Sequence, residues 1–269
     1  MFNLKSLLRR SARRPARVPE GVRVYAIGDV HGRSDLLEAL LANIRADAAT
    51  TPERPVLVFL GDYVDRGPDS KGVVDMVRQG AGTGWEAIAL RGNHDQQTID
   101  FCRDASGWQG WKAFGGLETL HSYGVATPVI DSPEEIEATR AAFAAAFPAA
   151  HREFLEGLPF AHVIGDYFFA HAGVRPGVGL DRQSPQDLMW IRNEFLVSGK
   201  RLEKVIVHGH TPAEEPVSLA NRICVDTGAY ATNRLTAVVL SGAKRRFLFS
   251  DGGGHGGRPE NGISRYVAS

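Results

Sequence analysis

The chain has 269 residues, 43% of them hydrophobic and 23% charged, with 31 bases balanced by 31 acids. That length holds one large domain, or a domain with an insertion, and no apolar run is long enough to cross a bilayer. Cys102 and Cys224 are the two cysteines, without paired spacing and without a secretory leader before them, which argues against a disulfide framework and for a reducing cytoplasm.

The bases are unevenly laid out. Lys5, Arg9, Arg10, Arg13, Arg14 and Arg17 all precede Glu20, the first acid, so the rest of the chain is net acidic and suggests no nucleic-acid partner. Met1 to Pro19 reads as a disordered basic arm, with a short amphipathic helix on an anionic membrane as the alternative; Pro15 and Pro19 limit any helix. Val22 to Ile27 is a predicted strand running into Gly28-Asp29-Val30-His31-Gly32, after which Ser34 caps a helix carrying Leu36, Leu37, Leu40, Leu41 and Ile44. Pro55 to Leu60 is the next strand, entering Gly61-Asp62-Tyr63-Val64-Asp65-Arg66-Gly67-Pro68 and then a helix near Ser70 to Arg78. Glu86 to Leu90 is the third, entering Arg91-Gly92-Asn93-His94-Asp95. Gly28, Gly61 and Gly92 lie 33 and 31 residues apart. This βαβ rhythm predicts a mostly parallel sheet, with ligands bound beyond the carboxyl ends of its strands.

Trp108, Trp111, Phe114 and Gly115-Gly116 open a different stretch, Gly107 to Pro159. Its helices, predicted over Glu134 to Phe147 and near Ala150 to Leu158, read as a helical insertion lying over the site, its aromatics forming a local core. Val163 to Ala170 is then a strand ending in His171-Ala172-Gly173, and Val205 to Val207 ends in His208-Gly209-His210-Thr211. Strands around Ile223 to Val225, Leu235 to Leu240 and Arg246 to Phe249 are expected as a second sheet layered on the first. From Asp251 the chain is Gly-rich and reads as a loose tail. The expected plan is a flexible arm over 1–20, a catalytic domain over 21–250 with its insertion at about 107–160, and a tail over 251–269.

Asp29, His31, Asp62, Asn93, His171 and either His210 or His208 are oxygen and nitrogen donors, all at strand ends and all near glycine. With no thiolate among them they suit an open site for Mn, Fe, Zn or Mg rather than a structural zinc. Six ligands exceed what one catalytic ion holds beside water; they suit two ions about 3.5–4 Å apart sharing a carboxylate, as in phosphoryl transfer. Taken alone, Asn93-His94-Asp95 would pass for turn chemistry. Four further clusters of the same kind make it part of a set.

Gly-Asp-Val-His-Gly at 28–32, Gly-Asp-Tyr-Val-Asp-Arg-Gly at 61–67, Gly-Asn-His-Asp at 92–95, His-Ala-Gly at 171–173 and Gly-His-Thr at 209–211 together resemble the ordered signature of the phosphoprotein phosphatase (PPP) family of metallophosphoesterases. The resemblance runs from about Val22 to Leu240, in family order. It implies an α/β, four-layer fold: a central β-sandwich flanked by helices around a dinuclear centre. By the same resemblance Asp29 and His31 bind the first metal, Asp62 bridges both, and Asn93, His171 and His210 bind the second. His94 is the implied general acid, oriented by Asp65, and a metal-bridging hydroxide attacks phosphorus directly. Arg66, Arg91 and Arg192 are the implied phosphate-binding arginines, Arg192 on the short match Met189-Trp190-Ile191-Arg192.

Two features point to the bacterial branch. His-Ala-Gly replaces the eukaryotic His-Gly-Gly, and Val225-Asp226-Thr227-Gly228-Ala229 stands where eukaryotic members carry Ser-Ala-Pro-Asn-Tyr. Gly61 to Gly67 resembles the protein-phosphatase version of the motif most closely, so the resemblance implies a protein serine/threonine phosphatase acting on phosphoproteins with two divalent ions, Mn²⁺ ahead of Fe, Zn or Mg, and a cytoplasmic monomer is expected. The alternative is a hydrolase of diadenosine tetraphosphate or another nucleotide, with Trp108 or Trp111 gripping the base. A non-catalytic metal-binding scaffold would lack a ligand or the proton donor, and here every motif position is filled.

Overall fold

The structure is a computed structural model that describes residues 14–80, 82–251 and 254–255. β1 (Val22–Ile27), β2 (Arg54–Phe59) and β3 (Glu86–Ala89) lie side by side in parallel, with α1 (Ser34–Ala48) and α2 (Ser70–Gln79) as the crossovers. Next come five helices: α3 (Asn93–Arg103), α4 (Trp108–Ala113), α5 (Gly116–Ser122), α6 (Pro133–Ala146) and α7 (Ala149–Gly157). The second half supplies β4 (Ala161–Ile164), β5 (Tyr167–Ala170), α8 (Pro185–Trp190), α9 (Asn193–Leu196), β6 (Val205–His208), β7 (Val217–Ser218), β8 (Arg222–Cys224) and α10 (Ala229–Thr232). β9 (Thr236–Ser241), β10 (Lys244–Phe249) and β11 (Gly254–His255) close it.

Two sheets result, in the orders β11-β10-β9-β1-β2-β3 and β4-β5-β6-β8-β7. Period-two alternation makes them a sandwich. From β1, Val24 and Ala26 face the second sheet, where they pack with Tyr167, Phe169, Val205, Val207 and Ile223, while Tyr25 and Ile27 face Leu37, Leu40 and Leu41 of α1. On the far side Phe168, Ala170 and Ile206 pack under Leu188, Ile191 and Phe195. The order of layers is helices, sheet, sheet, helices, as the resemblance implied.

Several sequence expectations change. β9 and β10 join the first sheet instead of a separate second sheet, β9 antiparallel to β1 and β10 antiparallel to β9. The reason is that β1, buried on both faces, has a second edge whose N–H and C=O groups must be paired, and β9 pairs them. Val163 to Ala170 is a hairpin rather than one strand, because Gly165 (φ +58°) turns the chain between β4 and β5. α1 starts at Ser34 after Arg33, which makes no side-chain cap. Arg14 to Pro19 is docked rather than free: the Arg17 N–H donates to Asp166 Oδ2 at 3.0 Å, Tyr167 Oη donates to the Ala16 carbonyl at 3.2 Å, and Val18 is buried. The expectations for residues 1–13, and for the tail beyond Asp251 apart from β11, lie outside the described residues.

The helices after α3 stack on α2 and α3 around Phe101, Trp108, Trp111, Tyr123, Phe143 and Phe147. This is the local aromatic core expected. Its turn at Phe114-Gly115 reaches the site: Phe114 meets the edge of His94 and Gly115 O accepts from the Arg66 N–H at 3.1 Å.

Candidate functional site

The loops after β1, β2, β5 and β6, together with the first turn of α3, converge at one end of the sandwich. Three are pinned by local hydrogen bonds. Asp95, buried at 0% exposure, accepts from the backbone N–H groups of Asp62 (2.9 Å), Tyr63 (2.9 Å) and Gly92 (2.8 Å), so one carboxylate ties the β2 loop to the start of α3. Asp62 Oδ1 in turn accepts from the His94 N–H at 3.0 Å, and both Asp29 oxygens accept from the His210 N–H. Two glycines are required by close approach. A Cβ on Gly92 would lie 2.1 Å from Asp62 Oδ1, and one on Gly209 would lie 2.0 Å from Asp29 Oδ1. His31, Asp62, Asp65, Arg66 and His210 all have φ between 46° and 71°, a left-handed backbone that is costly for side chains other than glycine.

Asp62 is the hub. His171 Nε2 is 3.4 Å, His31 Nε2 3.6 Å and His94 Nε2 3.9 Å from its Oδ2. His171 Nε2 also lies 2.9 Å from Asn93 Oδ1 and 3.2 Å from His210 Nδ1. Backbone carbonyls set two of these rings: His31 Nδ1–H donates to Val64 O at 2.8 Å and His171 Nδ1–H to Leu60 O at 3.0 Å, leaving both Nε2 atoms turned inward. Two groups, His31-Asp62-His94 and Asp62-His171-His210, have their donor atoms within 4.8 Å of one another and could each hold a metal ion.

The electrostatics fit that occupancy. Burial opposes ionisation of Asp62, yet the imidazoles of His171, His94 and His31 hold its carboxyl well below the ordinary value. Burial would lower His171, but Asp62 and Asp29 outweigh it and push the ring up to about 9. Burial, with Asp226 and Asp62 close by, raises Asp29 well above a normal carboxylate, and burial raises Asp226 to about 6 and Asp95 to about 7. His31 and His210 are driven well below an ordinary imidazole, first by burial and then by neighbouring His94 and His171 respectively. Among the described residues His210 Nε2 has no hydrogen-bond partner. Inward-facing lone pairs and crowded buried carboxylates are what divalent cations would complete.

Beside this hub His94 Nδ1–H donates to Asp65 Oδ2 at 2.7 Å, and Arg66 Nη2 reaches His94 Nε2 at 3.3 Å. Arg66 and Arg192 are both half-buried, and the field of Asp29 reaches Arg192. Arg91 departs from its expected role. Its guanidinium donates to Gln96 Oε1 at 2.9 Å and to the Glu156 carbonyl and lies over the Phe160 ring, holding α7 against α3. His208 also lies outside the cluster; its Nδ1 pairs with Gly209 O, burial lowers it to about 3, and its ring meets Phe195.

Tyr230, Asp226, Thr119 and Trp190 carry no role in the sequence reading, and Trp111 takes a different one. Tyr230 lies 4.6 Å beneath the Arg66 guanidinium and meets the edge of His31. Asp226 is buried beside Asp29, Trp111 and Thr119 donate to Asp65, and Trp190 meets the edge of His210. The Asp226 segment and Trp190 sit in stretches already noted as family-like; Tyr230 and Thr119 carry no such signal.

The calcineurin-like phosphoesterase family model matches residues 22–242. Serine/threonine-protein phosphatase 1 of Salmonella typhimurium is 30% identical over 223 residues, covering 79% of this chain and 89% of the relative. Asymmetrical bis(5'-nucleosyl)-tetraphosphatase PrpE of Anoxybacillus flavithermus is 28% identical over 236 residues, covering 79% and 88%. Among solved structures, a chain provisionally described as a diadenosine tetraphosphatase superposes with a TM-score of 0.58 at 23% identity, over 88% of this chain and 98% of that one. The cold-active protein-tyrosine phosphatase of a psychrophilic Shewanella gives the same TM-score at 17% identity, over 90% and 82%, which speaks to the fold. With the family model spanning β1 through β9 and every cluster of the site, the chain belongs to the calcineurin-like phosphoesterases, metal-dependent hydrolases of phosphoesters.

Proposed function

We propose that the chain is a protein serine/threonine phosphatase that hydrolyses phosphoserine and phosphothreonine. The observation that carries the reading is the His94-Asp65 pair beside the Asp62 hub, with His94 Nδ1 held at 2.7 Å by a carboxylate at 0% exposure. An alkoxide is a poor leaving group and must be protonated as it departs, whereas a departing phosphate needs this far less. A fixed, buried acid is therefore most useful on a serine or threonine ester. The similarity to serine/threonine-protein phosphatase 1 supports the same reading.

In this mechanism Asp29, His31 and Asp62 would hold one ion and Asp62, Asn93, His171 and His210 the other, with Mn²⁺ suited to the mixed imidazole, carboxylate and amide set. Bound divalent ions supply Lewis acidity toward phosphoryl oxygens and lower the pKa of water. Arg66 and Arg192 hold the remaining phosphoryl oxygens through charge-assisted hydrogen bonds, and the Tyr230 ring supports the Arg66 guanidinium from 4.6 Å. His94 delivers its proton to the leaving oxygen while Asp65 holds the tautomer and stabilises the ring as charge shifts.

The likeness to PrpE supports a second reading, hydrolysis of a bis(5'-nucleosyl) tetraphosphate. In that reading Trp108 and Trp111 do not grip the base, since both are packed away at 1% and 2% exposure. The test is kcat/KM in Mn²⁺ for a phosphothreonine peptide and for diadenosine tetraphosphate on one preparation, with a chelator control. A preference for the peptide is expected. A preference for the dinucleotide would replace the first reading with the second.

A further inference from the structure

The helices after α3 contribute no donor to the metal clusters and bind no base through their tryptophans, yet two of their side chains enter the site from behind. Trp111 of α4 donates from Nε1 to Asp65, 3.1 Å from Oδ1 and 3.2 Å from Oδ2. Thr119 of α5 donates from Oγ1 to Asp65 Oδ1 at 2.6 Å. The same hydroxyl oxygen accepts from the Asp65 backbone N–H at 2.9 Å and lies 3.0 Å from Ser70 Oγ, which itself lies 3.1 Å from that N–H. Asp65, Thr119 and Ser70 are all at 0% exposure and Trp111 at 2%. The Asp65 carboxylate thus has one oxygen saturated by the insertion and the other aimed at His94. A carboxylate with free rotation about χ2 could not present one lone pair to His94 Nδ1 so consistently.

From this geometry we infer that Trp111 and Thr119 are positioning residues for proton transfer: the helical insertion fixes Asp65, and through Asp65 the ring of His94, in the pose that protonates a poor leaving group. The inference rests on the reading of His94 as the general acid and extends it to a segment that nothing else assigns. It also gives Gly116 a reason, because a Cβ there would lie 2.4 Å from the Trp111 ring. The indole is wedged between its own chain and Asp65, and Phe101, 4.4 Å away, backs it.

The experiment compares two esters, an alkyl phosphate and p-nitrophenyl phosphate, whose leaving group scarcely needs a proton. Wild type, His94→Asn, Trp111→Phe, Thr119→Val and Thr119→Ser are assayed with metal content and circular dichroism measured on each. Trp111→Phe and Thr119→Val are expected to lose about 10–100-fold in kcat on the alkyl ester and only a few-fold on the nitrophenyl ester, with metal content unchanged and Thr119→Ser close to wild type. His94→Asn should show the same selectivity more strongly. If His94→Asn is selective while Trp111→Phe and Thr119→Val lose equally on both esters, or lose nothing, the positioning role is overturned and the acid assignment stands. If His94→Asn itself loses equally on both, the acid assignment falls and the inference with it. Should Trp111→Phe fail to fold, the near-isosteric Thr119→Val carries the comparison.

Discussion

At the scale of single residues, the site is made by backbone conformations that side chains normally avoid. His31, Asp62, Asp65, Arg66 and His210 all have positive φ, at about 1–3 kcal/mol each. Such strain persists because hydrogen bonds over-determine it, above all the three N–H groups that converge on Asp95. Packing around Asp62 leaves no spare volume. In Gly92→Ala the new Cβ would have to displace Asp62 Oδ1, which stands 2.1 Å away. Because Asp62 belongs to both donor groups, we expect Gly92→Ala to lower metal content and to reduce kcat/KM by about 100-fold or more, the cost of misplacing a reacting group by an ångström. Metal analysis beside steady-state kinetics would check this, and full metal loading with normal turnover would contradict it.

At the scale of elements, α3 and the insertion divide the labour. The first turn of α3 presents Asn93 and His94 inward and Asp95 backward onto the β2 loop, three directions that the start of a helix, where side chains fan around the axis, can supply at once. The insertion then holds the partner of His94. Its own stability comes from rings: Phe143, at 0% exposure, has centroids 5.6 Å from Trp111, 5.7 Å from Tyr123 and 5.1 Å from Phe147. Phe143→Ala should cost about 3–5 kcal/mol of stability, read from urea unfolding. Cavity relaxation beside Trp111 should also lower turnover of alkyl esters more than that of p-nitrophenyl phosphate.

Across the whole molecule, the four layers put the strained site at one end of the sandwich and a charged brace elsewhere on the first sheet. Asp47 of α1 accepts from Tyr25 Oη at 2.7 Å and Arg23 Nη1 at 3.1 Å, both on β1, and pairs with Arg246 on β10. Burial works against its ionisation, but the hydrogen bonds from Tyr25 and Arg246 prevail and the Asp47 carboxyl lies below its ordinary value. A carboxyl whose pKa is depressed on folding stabilises the native state above its unfolded pKa, about 3.9, and that contribution disappears as pH falls through the folded pKa. Asp47→Asn should therefore cost about 2 kcal/mol at neutral pH, with the gap to wild type closing in acid. Urea midpoints followed down through the carboxylate range would show whether the two curves converge.

How much of this was legible in the chain depends on the range of the interaction. The strands of the βαβ half, their Gly-Asp and Gly-Asn ends and the six metal-site candidates are local patterns, because a strand ending in glycine announces both its length and its turn. The structure brings His31, Asp62, Asn93, His171 and His210 together, with the Asp29 carboxylate beside them on the His210 N–H. Spacing alone left His208 and His210 exchangeable, and it was the resemblance that named His210; in the fold only one of the two turns toward Asp62, and the left-handed backbone at His210 (φ 66°) turns it there. The fold also decides Arg91, whose motif position suggested phosphate but whose guanidinium is taken by Gln96 and Glu156. Edge pairing was equally hidden, since β9 finds β1 from more than two hundred residues away and the pattern of apolar residues is the same in either sheet. Sequence alone determined the chemistry, because donor identity and spacing are written locally. Tertiary structure alone decided which sheet each closing strand joins and that Trp111 and Thr119 stand behind Asp65, because those contacts join residues about 46 and 54 positions apart and are chosen by packing.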